Sequence, residues 1–394
     1  MTFFAYVFFP LVALGAWLFG RRSNLHERLG FPVRFQRDYF RGLNFLINEQ
    51  PDKAVDVFIK LMEIDSDTVE THLALAGLFR RRGEVDRAIK IHQNLIARPQ
   101  LDQHHRHQAL LALGEDYLSA GVLDRAEKIF LELSEQDKQD GQSLTLLLQI
   151  YHLEKEWNKA IKIAQRLAVF SGTSYRLHIA HYYCELSDDM TRKHMFQEAK
   201  QYLQKAQSID RHCVRAYLLE ARAAFLEKDF SSCINAYQRV MDEDPNYVSE
   251  ILDDMAESYA QCGRGDEFFQ YLERVFSETP FVDVASYLAK QHHRQHGIQT
   301  AIDFLENYMA SHGSLWALPP LIQCYADSAS VPDTQKWLKL ERHLDSMMSG
   351  QSTYRCLQCG FSGKTLYWLC PSCQTWSSTK PIRSIDVLAR KPVL

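Results

Sequence analysis

One apolar pattern recurs along the chain at a fixed distance, and this repetition limits the folds open to it. Ala54 and Ala88 are 34 residues apart, and so are Ala126 and Ala160. Each alanine follows a group of large apolar or aromatic residues at helical spacing, and these groups include Phe45, Leu75 and Phe79, Leu113 and Tyr117, and Leu147 and Tyr151. Turn residues such as Arg82-Gly83 separate the two halves of a unit. The pattern therefore predicts two helices in every repeat.

A helix–turn–helix unit of this length resembles the tetratricopeptide repeat, in which small residues let paired helices approach closely. Later units are less regular, and their marker residues are Ala180 and Ala199, Ala221 and Cys233, Ala256 and Leu272, and Ala289 and Ala301. We expect about eight or nine repeats across residues 36–348, which makes the chain all-α, a superhelical solenoid. Two departures from the period predict a loop insertion around His104, His105 and His107 and a stretched connection at 187–193.

The repeats contain no pattern that predicts catalysis. The sequence has no Gly-rich phosphate loop, no G-x-S-x-G and no H-E-x-x-H. Two histidine groups, at 104–107 and 292–296, have no carboxylate or cysteine in a ligand register, and we expect them on solvated helix or loop faces. Stacked repeats leave a concave face lined by one helix of each pair, and such a face suits extended peptides or helices of other proteins. We therefore expect a binding scaffold and not an enzyme.

A second pattern lies near the end of the chain. Cys356 and Cys359 form one C-x2-C pair, Cys370 and Cys373 form another, and ten residues separate the pairs. Two such turns complete a tetrahedral shell of four sulfurs around one transition-metal ion. Gly360 permits a positive φ after the first pair, while proline stiffens the second. We expect a metal knuckle at residues 349–380 and a tail at 381–394, and the sulfur ligands alone allow zinc or iron.

The first residues predict a membrane anchor. Residues 2–20 have no charged side chain, and this length just suffices to span a bilayer once. Arg21 and Arg22 follow the apolar run, whereas a cleaved signal peptide would carry its basic residues before it. The positive-inside rule places the N-terminus outside and the remaining chain in the cytoplasm. We expect a transmembrane helix at 1–20 and a basic juxtamembrane segment at 21–35.

A cytoplasmic location decides how the cysteines are interpreted. Thiols stay reduced there, so the paired C-x2-C turns indicate metal ligands and not disulfides. Five other cysteines are scattered through the helical pattern, and we expect them to be small core residues: Cys184, Cys213, Cys233, Cys262 and Cys324.

The residues leave three roles open for the knuckle: electron transfer, nucleic-acid binding or protein recognition. The short span between the pairs and the lack of a flavin or nicotinamide signature disfavour the first role. A net charge of −4 and the lack of a basic groove disfavour the second. Aromatic residues surround the cysteines, namely Tyr354, Phe361, Tyr367, Trp368 and Trp376. We expect them to form a surface that packs on the last repeats or on a partner.

This combination of anchor, arginine-rich segment, repeats and knuckle resembles the lipopolysaccharide assembly protein B family of Gram-negative bacteria. Two stretches carry the resemblance most specifically. The first is Tyr39-Phe-Arg-Gly-Leu-Asn-Phe-Leu-Ile-Asn-Glu-Gln-Pro-Asp-Lys-Ala in the first repeat. The second is Leu366-Tyr-Trp-Leu-Cys-Pro-Ser-Cys, followed by Trp376 and Lys380-Pro-Ile-Arg.

The resemblance implies a function that spacing alone does not show. Members of the family sit in the inner membrane, face the cytoplasm and promote degradation of the deacetylase LpxC by the protease FtsH. The chain then resembles a proteolysis adaptor that also gathers lipopolysaccharide synthesis and export proteins, with Cys356, Cys359, Cys370 and Cys373 as ligands of an iron ion. An electron-transfer protein and a scaffold without a proteolytic role are the alternatives. The sequence leaves homo-oligomerisation open.

Overall fold

The computed structural model describes residues 40–42, 44–45, 50, 53–54, 57, 69–137 and 140–382. The predicted anchor, the juxtamembrane segment and residues 383–394 of the tail lie outside the described residues. Within the described ranges, no helix combines the length and apolar character that a bilayer crossing requires. The chain divides into two compact units, one ending at Glu154 and the other beginning at Lys155.

From residue 69 onward, the described part of the first unit is helical, as the repeat pattern predicts. Its helices from residue 69 onward are α1 (Val69–Arg81), α2 (Val85–Ile96), α3 (Gln103–Ser119), α4 (Leu123–Gln136) and α5 (Gly141–Leu153). Each helix packs on the next, and α1, α3 and α5 also contact one another in series. The marker residues Ala54, Ala88 and Ala126 are completely buried. The first helices of successive repeats therefore form one continuous row, as the repeat pattern predicts.

The second unit continues the same arrangement and ends in a small sheet. Its helices are α6 (Trp157–Ser171), α7 (Arg176–Arg192), α8 (Phe196–Ile209), α9 (Val214–Leu226), α10 (Phe230–Glu243), α11 (Val248–Gln261), α12 (Gly265–Glu278), α13 (Val282–His296), α14 (Ile298–His312), α15 (Leu318–Ser328) and α16 (Val331–Met348). Contacts also join α7 to α9, α9 to α11 and α11 to α13. A 3-10 turn at Pro245–Tyr247 precedes α11.

Two predicted loops are helical, so both predictions were wrong, and each stretch contains a local contact that is typical of a helix. Residues 187–192 extend α7, where Arg192 pairs with Asp188 and Lys193 pairs with Asp189 at helical i,i+4 spacing. His104, His105 and His107 lie in α3 and not in a loop. Asp102 caps that helix, because its carboxylate accepts a hydrogen bond from the backbone N–H of His105.

The C-terminal sheet has three short antiparallel strands. They are β1 (Tyr354–Cys356), β2 (Ser362–Gly363) and β3 (Thr379–Pro381), with β1 in the centre. The register pairs Cys356 with Thr379 and Tyr354 with Gly363. Because β1 ends at Cys356, the sheet fixes the start of the first cysteine turn.

Candidate metal centre

The two cysteine turns have the same backbone geometry. In the first turn, Cys356 N–H donates to the carbonyl of Phe361 and Gly360 N–H donates to the carbonyl of Cys356, at 2.7 and 3.0 Å. In the second, Cys370 N–H donates to Thr375 and Gln374 N–H donates to Cys370, at 3.1 and 2.9 Å. The fifth residue of each turn has a positive φ, which is 77° at the glycine and 54° at the glutamine. The sequence showed this requirement only in the first turn, because the second uses a glutamine where glycine would be easier.

The folded turns bring the four thiols together. All four Sγ atoms lie within 4.8 Å of one another, and Sγ–Sγ is 3.7 Å both for Cys356–Cys373 and for Cys359–Cys370. A tetrahedral ion with metal–sulfur bonds of about 2.3 Å would place neighbouring sulfurs about 3.8 Å apart. The donor set therefore fits one tetrahedral ion, and the chain contains a four-cysteine metal-binding knuckle.

The thiols differ in their environments. Burial raises the pKa of Cys370 to about 11, whereas Cys356 has a pKa of about 6. Burial also opposes ionisation of Cys356, but its hydrogen bond with Ser378 and the backbone N–H groups of Gln358 and Cys359 outweigh that cost. Hydrogen bonding also lowers the pKa of Cys373, so Cys370 is the thiol whose ionisation depends most on the charge of a bound ion.

One side of the knuckle faces solvent and the other faces the repeats. Cys359 is exposed, and Leu357 beside it is 60% exposed. Trp376, by contrast, is only 4% exposed, and its neighbour Ser377 donates its N–H to the carbonyl of Trp368 at 2.8 Å. This hydrogen bond joins the segment before the second cysteine turn, which contains Trp368, to the segment after it, which contains Trp376.

The tryptophans rest on a surface that we term the docking face, formed by His181, Arg215, Asp244, Tyr247 and Glu250. These residues belong to α7, α9, α11 and the segment that precedes α11. The knuckle therefore packs on the middle helices of the second unit. The expectation that it packs on the last repeats was wrong, and packing on a partner stays a prediction.

His181 contacts the second cysteine turn directly. Its ring stacks on Trp376 with 4.5 Å between centroids and 15° between planes, and its Nε2 lies 2.8 Å from Ser377 Oγ. Burial, reinforced by the charge of Arg215, lowers the pKa of His181 well below its ordinary value. The imidazole is therefore neutral at pH 7 and packs as an aromatic ring.

Tyr247 supports the other tryptophan. Its ring stacks on Trp368 with centroids 5.3 Å apart, and the guanidinium of Arg215 lies 5.7 Å from the Trp368 centroid. The Tyr247 hydroxyl donates to the carbonyl of Thr379 at 3.3 Å and accepts from Lys380 Nζ at 3.1 Å. Stacking and hydrogen bonding together fix this edge of the knuckle.

Two polar contacts complete the docking face. Lys380 forms an ion pair with Asp244, and both side chains are largely buried. The Tyr354 hydroxyl donates to Glu250 at 2.7 Å. Each of these contacts joins residues more than 100 positions apart in the chain.

Comparison with known proteins identifies both parts of the chain. Residues 354–381 match the family described as rubredoxin metal binding domain, and residues 71–104 match the tetratricopeptide repeat. The chain is 35% identical over 390 residues to lipopolysaccharide assembly protein B of Escherichia coli strain K12, which covers 97% of this chain and 99% of that protein. A protein of the same name from Haemophilus influenzae strain Rd is 32% identical over 386 residues, covering 96% and 97%.

The chain belongs to the lipopolysaccharide assembly protein B family. Among solved structures, part of a tetratricopeptide-repeat protein from Cytophaga hutchinsonii aligns with 72% of this chain and 99% of its own, at 14% identity and a TM-score of 0.37.

The histidine groups do not form a metal site like that of the cysteines, although carboxylates lie near one of them. The expectation that no carboxylate lies in a ligand register beside His105 was wrong, because Asp102, three residues earlier, and Glu70 both contact its ring. The hydrogen bond with Asp102 raises the pKa of His105. In the described part of the chain, the four cysteines alone gather three or more potential ligand atoms closely enough to hold an ion.

The docking face is a structural feature that the sequence did not predict. The tryptophans of the knuckle were expected to pack, but His181 and Tyr247 carried no motif. A single aromatic residue on a helix is more often a core residue, so only the three-dimensional structure distinguishes these two.

Proposed function

We propose that this protein is a non-catalytic adaptor at the inner membrane that restrains lipopolysaccharide synthesis. It brings the deacetylase LpxC to the membrane protease FtsH and also gathers other lipopolysaccharide synthesis or export proteins. The observation that supports this proposal is the relationship over nearly the whole chain to two proteins named lipopolysaccharide assembly protein B.

The repeat helices support the adaptor role. Contacts in series between α1, α3 and α5 form a row of helices, and such rows present an extended face to a partner chain. The four cysteines that the described residues bring together fit a metal ion, and in this proposal that ion has a structural role. In this proposal the repeats bind partner proteins, and the metal ion stabilises the fold of the knuckle.

In this proposal Cys356, Cys359, Cys370 and Cys373 hold one ion, zinc or iron. The ion supplies a structural cross-link between the two turns of a region too small to build a core of its own. The position of the knuckle depends on side chains, because Trp368 and Trp376, on either side of the second turn, pack on the docking face. The knuckle is then a rigid part of the second unit.

The predicted anchor completes the mechanism. A transmembrane segment at residues 1–20, with the N-terminus in the periplasm, would confine the cytoplasmic repeats to the membrane where FtsH also resides. Confinement raises the effective concentration of a bound substrate near the protease without any new contact. Removing residues 1–20 should therefore impair regulation even if the remaining chain folds.

Depletion of the protein tests the adaptor role. We expect the half-life of LpxC to lengthen several-fold when the protein is depleted and to recover when it is supplied again. A parallel measurement on an unrelated FtsH substrate controls for a general loss of protease activity. An unchanged LpxC half-life would exclude the adaptor role, and crosslinked complexes without FtsH would favour a scaffold that has no proteolytic function.

The exposed Cys359 favours one further candidate, electron transfer through an iron ion. A sulfur ligand at the surface shortens the path to a redox partner. Zinc substitution separates this candidate from the adaptor, because zinc has no accessible redox change. If the zinc-loaded protein still shortens the half-life of LpxC, electron transfer is not the function.

A further inference from the structure

Two buried cysteines outside the knuckle face each other in the second unit. Cys184 lies in α7 and Cys213 is the residue before α9, and their Sγ atoms are 3.9 Å apart. Their exposed fractions are 0% and 2%. This pair cannot be recognised from the sequence, because 29 positions separate the two residues.

The two thiols have opposite tendencies to ionise. The hydrogen bond with Cys184 lowers the pKa of Cys213, as do the backbone N–H of Ala216 and the charge of Arg215, although burial opposes them. Burial raises the pKa of Cys184 well above its ordinary value. Cys213 is therefore the thiol suited to act as nucleophile, at the N-terminus of a helix, and Cys184 is the neutral thiol beside it.

Closing the pair into a disulfide requires a small movement. The buried cluster around the pair contains small residues such as Ala180 as well as the larger Leu203. A disulfide has an S–S bond of about 2.05 Å, so the two Sγ atoms, now 3.9 Å apart, must approach each other by about 1.85 Å. Cys213 also follows directly on the exposed turn residues Arg211 and His212, whose opening would admit a small oxidant.

We propose that Cys184 and Cys213 are a redox-active dithiol that hydrogen peroxide converts into an intramolecular disulfide. The Cys213 thiolate attacks the O–O bond, forms a sulfenic acid and releases hydroxide. The Cys184 thiol then attacks the sulfenic sulfur, and the departing hydroxide takes a proton to become water. Two thiols are oxidised while one peroxide is reduced to two waters, and a dithiol reductant reverses the change.

The position of the pair links its oxidation to the docking face. His181 precedes Cys184 by three residues on α7 and stacks on Trp376. Arg215 follows Cys213 by two residues and lies over Trp368. A disulfide would draw the start of α9 towards α7, so it would change the spacing of two side chains that hold the knuckle. This inference does not depend on the proposed role in proteolysis.

The test uses the full-length protein with its metal, solubilised in detergent. It is treated with hydrogen peroxide, free thiols are blocked under denaturing conditions, and the digested peptides are identified by mass spectrometry. We expect a peptide pair linked through Cys184 and Cys213 that disappears after dithiothreitol. We also expect the alkylatable thiol at Cys213 to be lost roughly tenfold faster than that at Cys324.

Two matched variants accompany the measurement. Cys184→Ala should abolish the linked peptide and leave Cys213 to form a mixed disulfide with added glutathione, whereas Cys324→Ala should leave the linked peptide unchanged. Oxidation of glutathione in a parallel sample shows that enough oxidant was present. If that glutathione is oxidised while Cys184 and Cys213 of the unsubstituted protein remain fully alkylatable, the proposal is wrong, and this result does not require any variant to fold.

Discussion

The repeats and the knuckle bury their residues in different ways. In the repeats, completely buried alanines such as Ala88, Ala126 and Ala160 let helices approach, and large side chains fill the remaining space. In the knuckle, two of the buried side chains are the sulfur ligands Cys356 and Cys370 themselves. The repeats are stabilised by many apolar contacts, whereas the knuckle would be stabilised by a few metal–sulfur bonds.

This difference indicates which region depends on the other. Each repeat packs on its sequence neighbours, so helices distant from the knuckle have all their partners nearby. The knuckle lacks such a core, and its tryptophans are covered by the docking face of the repeats. We therefore expect loss of the knuckle to spare most helices, and loss of the docking face to affect the knuckle.

The largest effect should follow from Cys370→Ser. This buried sulfur is one of four ligands, and metal binding supplies on the order of 10 kcal/mol to the folding of a small metal domain. We expect metal content to fall to near zero and the second turn to lose protection in hydrogen exchange, while far-UV circular dichroism keeps the helical signal. Ser372→Ala, in the same turn but exposed, is the control. Extensive helix loss in Cys370→Ser would show that the repeats depend on the knuckle.

A smaller effect should follow from Trp376→Ala. Truncating a buried tryptophan costs about 3–5 kcal/mol, and here the loss removes the stacking partner of His181. We expect the knuckle to be cleaved by protease at much lower protease concentration while it still holds its metal. Tyr367→Ala, which truncates a 42% exposed ring in the same region, should change the cleavage little. Equal protection of both variants would mean that stacking on the repeats does not hold the knuckle.

The sequence predicted those features that depend on residues close together in the chain. A C-x2-C turn needs only a few residues, so its spacing revealed all four thiols that the structure brings together. A helical repeat likewise recurs at a period that can be counted. The wrong prediction at residues 187–193 is also local, because charged residues that form i,i+4 ion pairs along and just beyond α7 have the composition of a polar connection.

Contacts between distant residues could not be predicted in the same way. Ser377 and His181 are 196 positions apart, and Thr379 and Tyr247 are 132 apart. Neither distance is a multiple of the repeat, so no periodicity marks either pair. The docking face depends on how the helices are stacked, and a single sequence does not specify that stacking residue by residue.

The packing of the repeats can be tested by a pair of glycines in the first unit. A Cβ atom at Gly114 would lie 2.4 Å from Phe130 Cε1, whereas one at Gly77 would meet nothing within 4 Å. Gly114→Ala should therefore destabilise the first unit by about 1–3 kcal/mol through overpacking. Gly77→Ala should stabilise its helix by about 0.5–1 kcal/mol, because alanine loses less conformational freedom. Thermal unfolding checks both, and a stabilised Gly114→Ala would show that close approach of α3 and α4 is not required.

The smallest effect on docking should come from the Lys380–Asp244 ion pair, which can be compared with an ion pair on an exposed helix surface. Lys380 and Asp244 are 13% and 17% exposed, and Asp244 also accepts hydrogen bonds from Asn246. Lys380→Met should therefore weaken docking by only about 1 kcal/mol, because the carboxylate keeps other donors.

Lys336→Met is the matched control for that substitution. Lys336 pairs with Asp333 on an exposed helix surface, where solvent screens the charges, and we expect no measurable change. Hydrogen exchange of residues 376–382 measures docking in both variants. If Lys380→Met and Lys336→Met have the same effect, the ion pair of the docking face contributes no more than a surface pair, and stacking of the two tryptophans accounts for the docking.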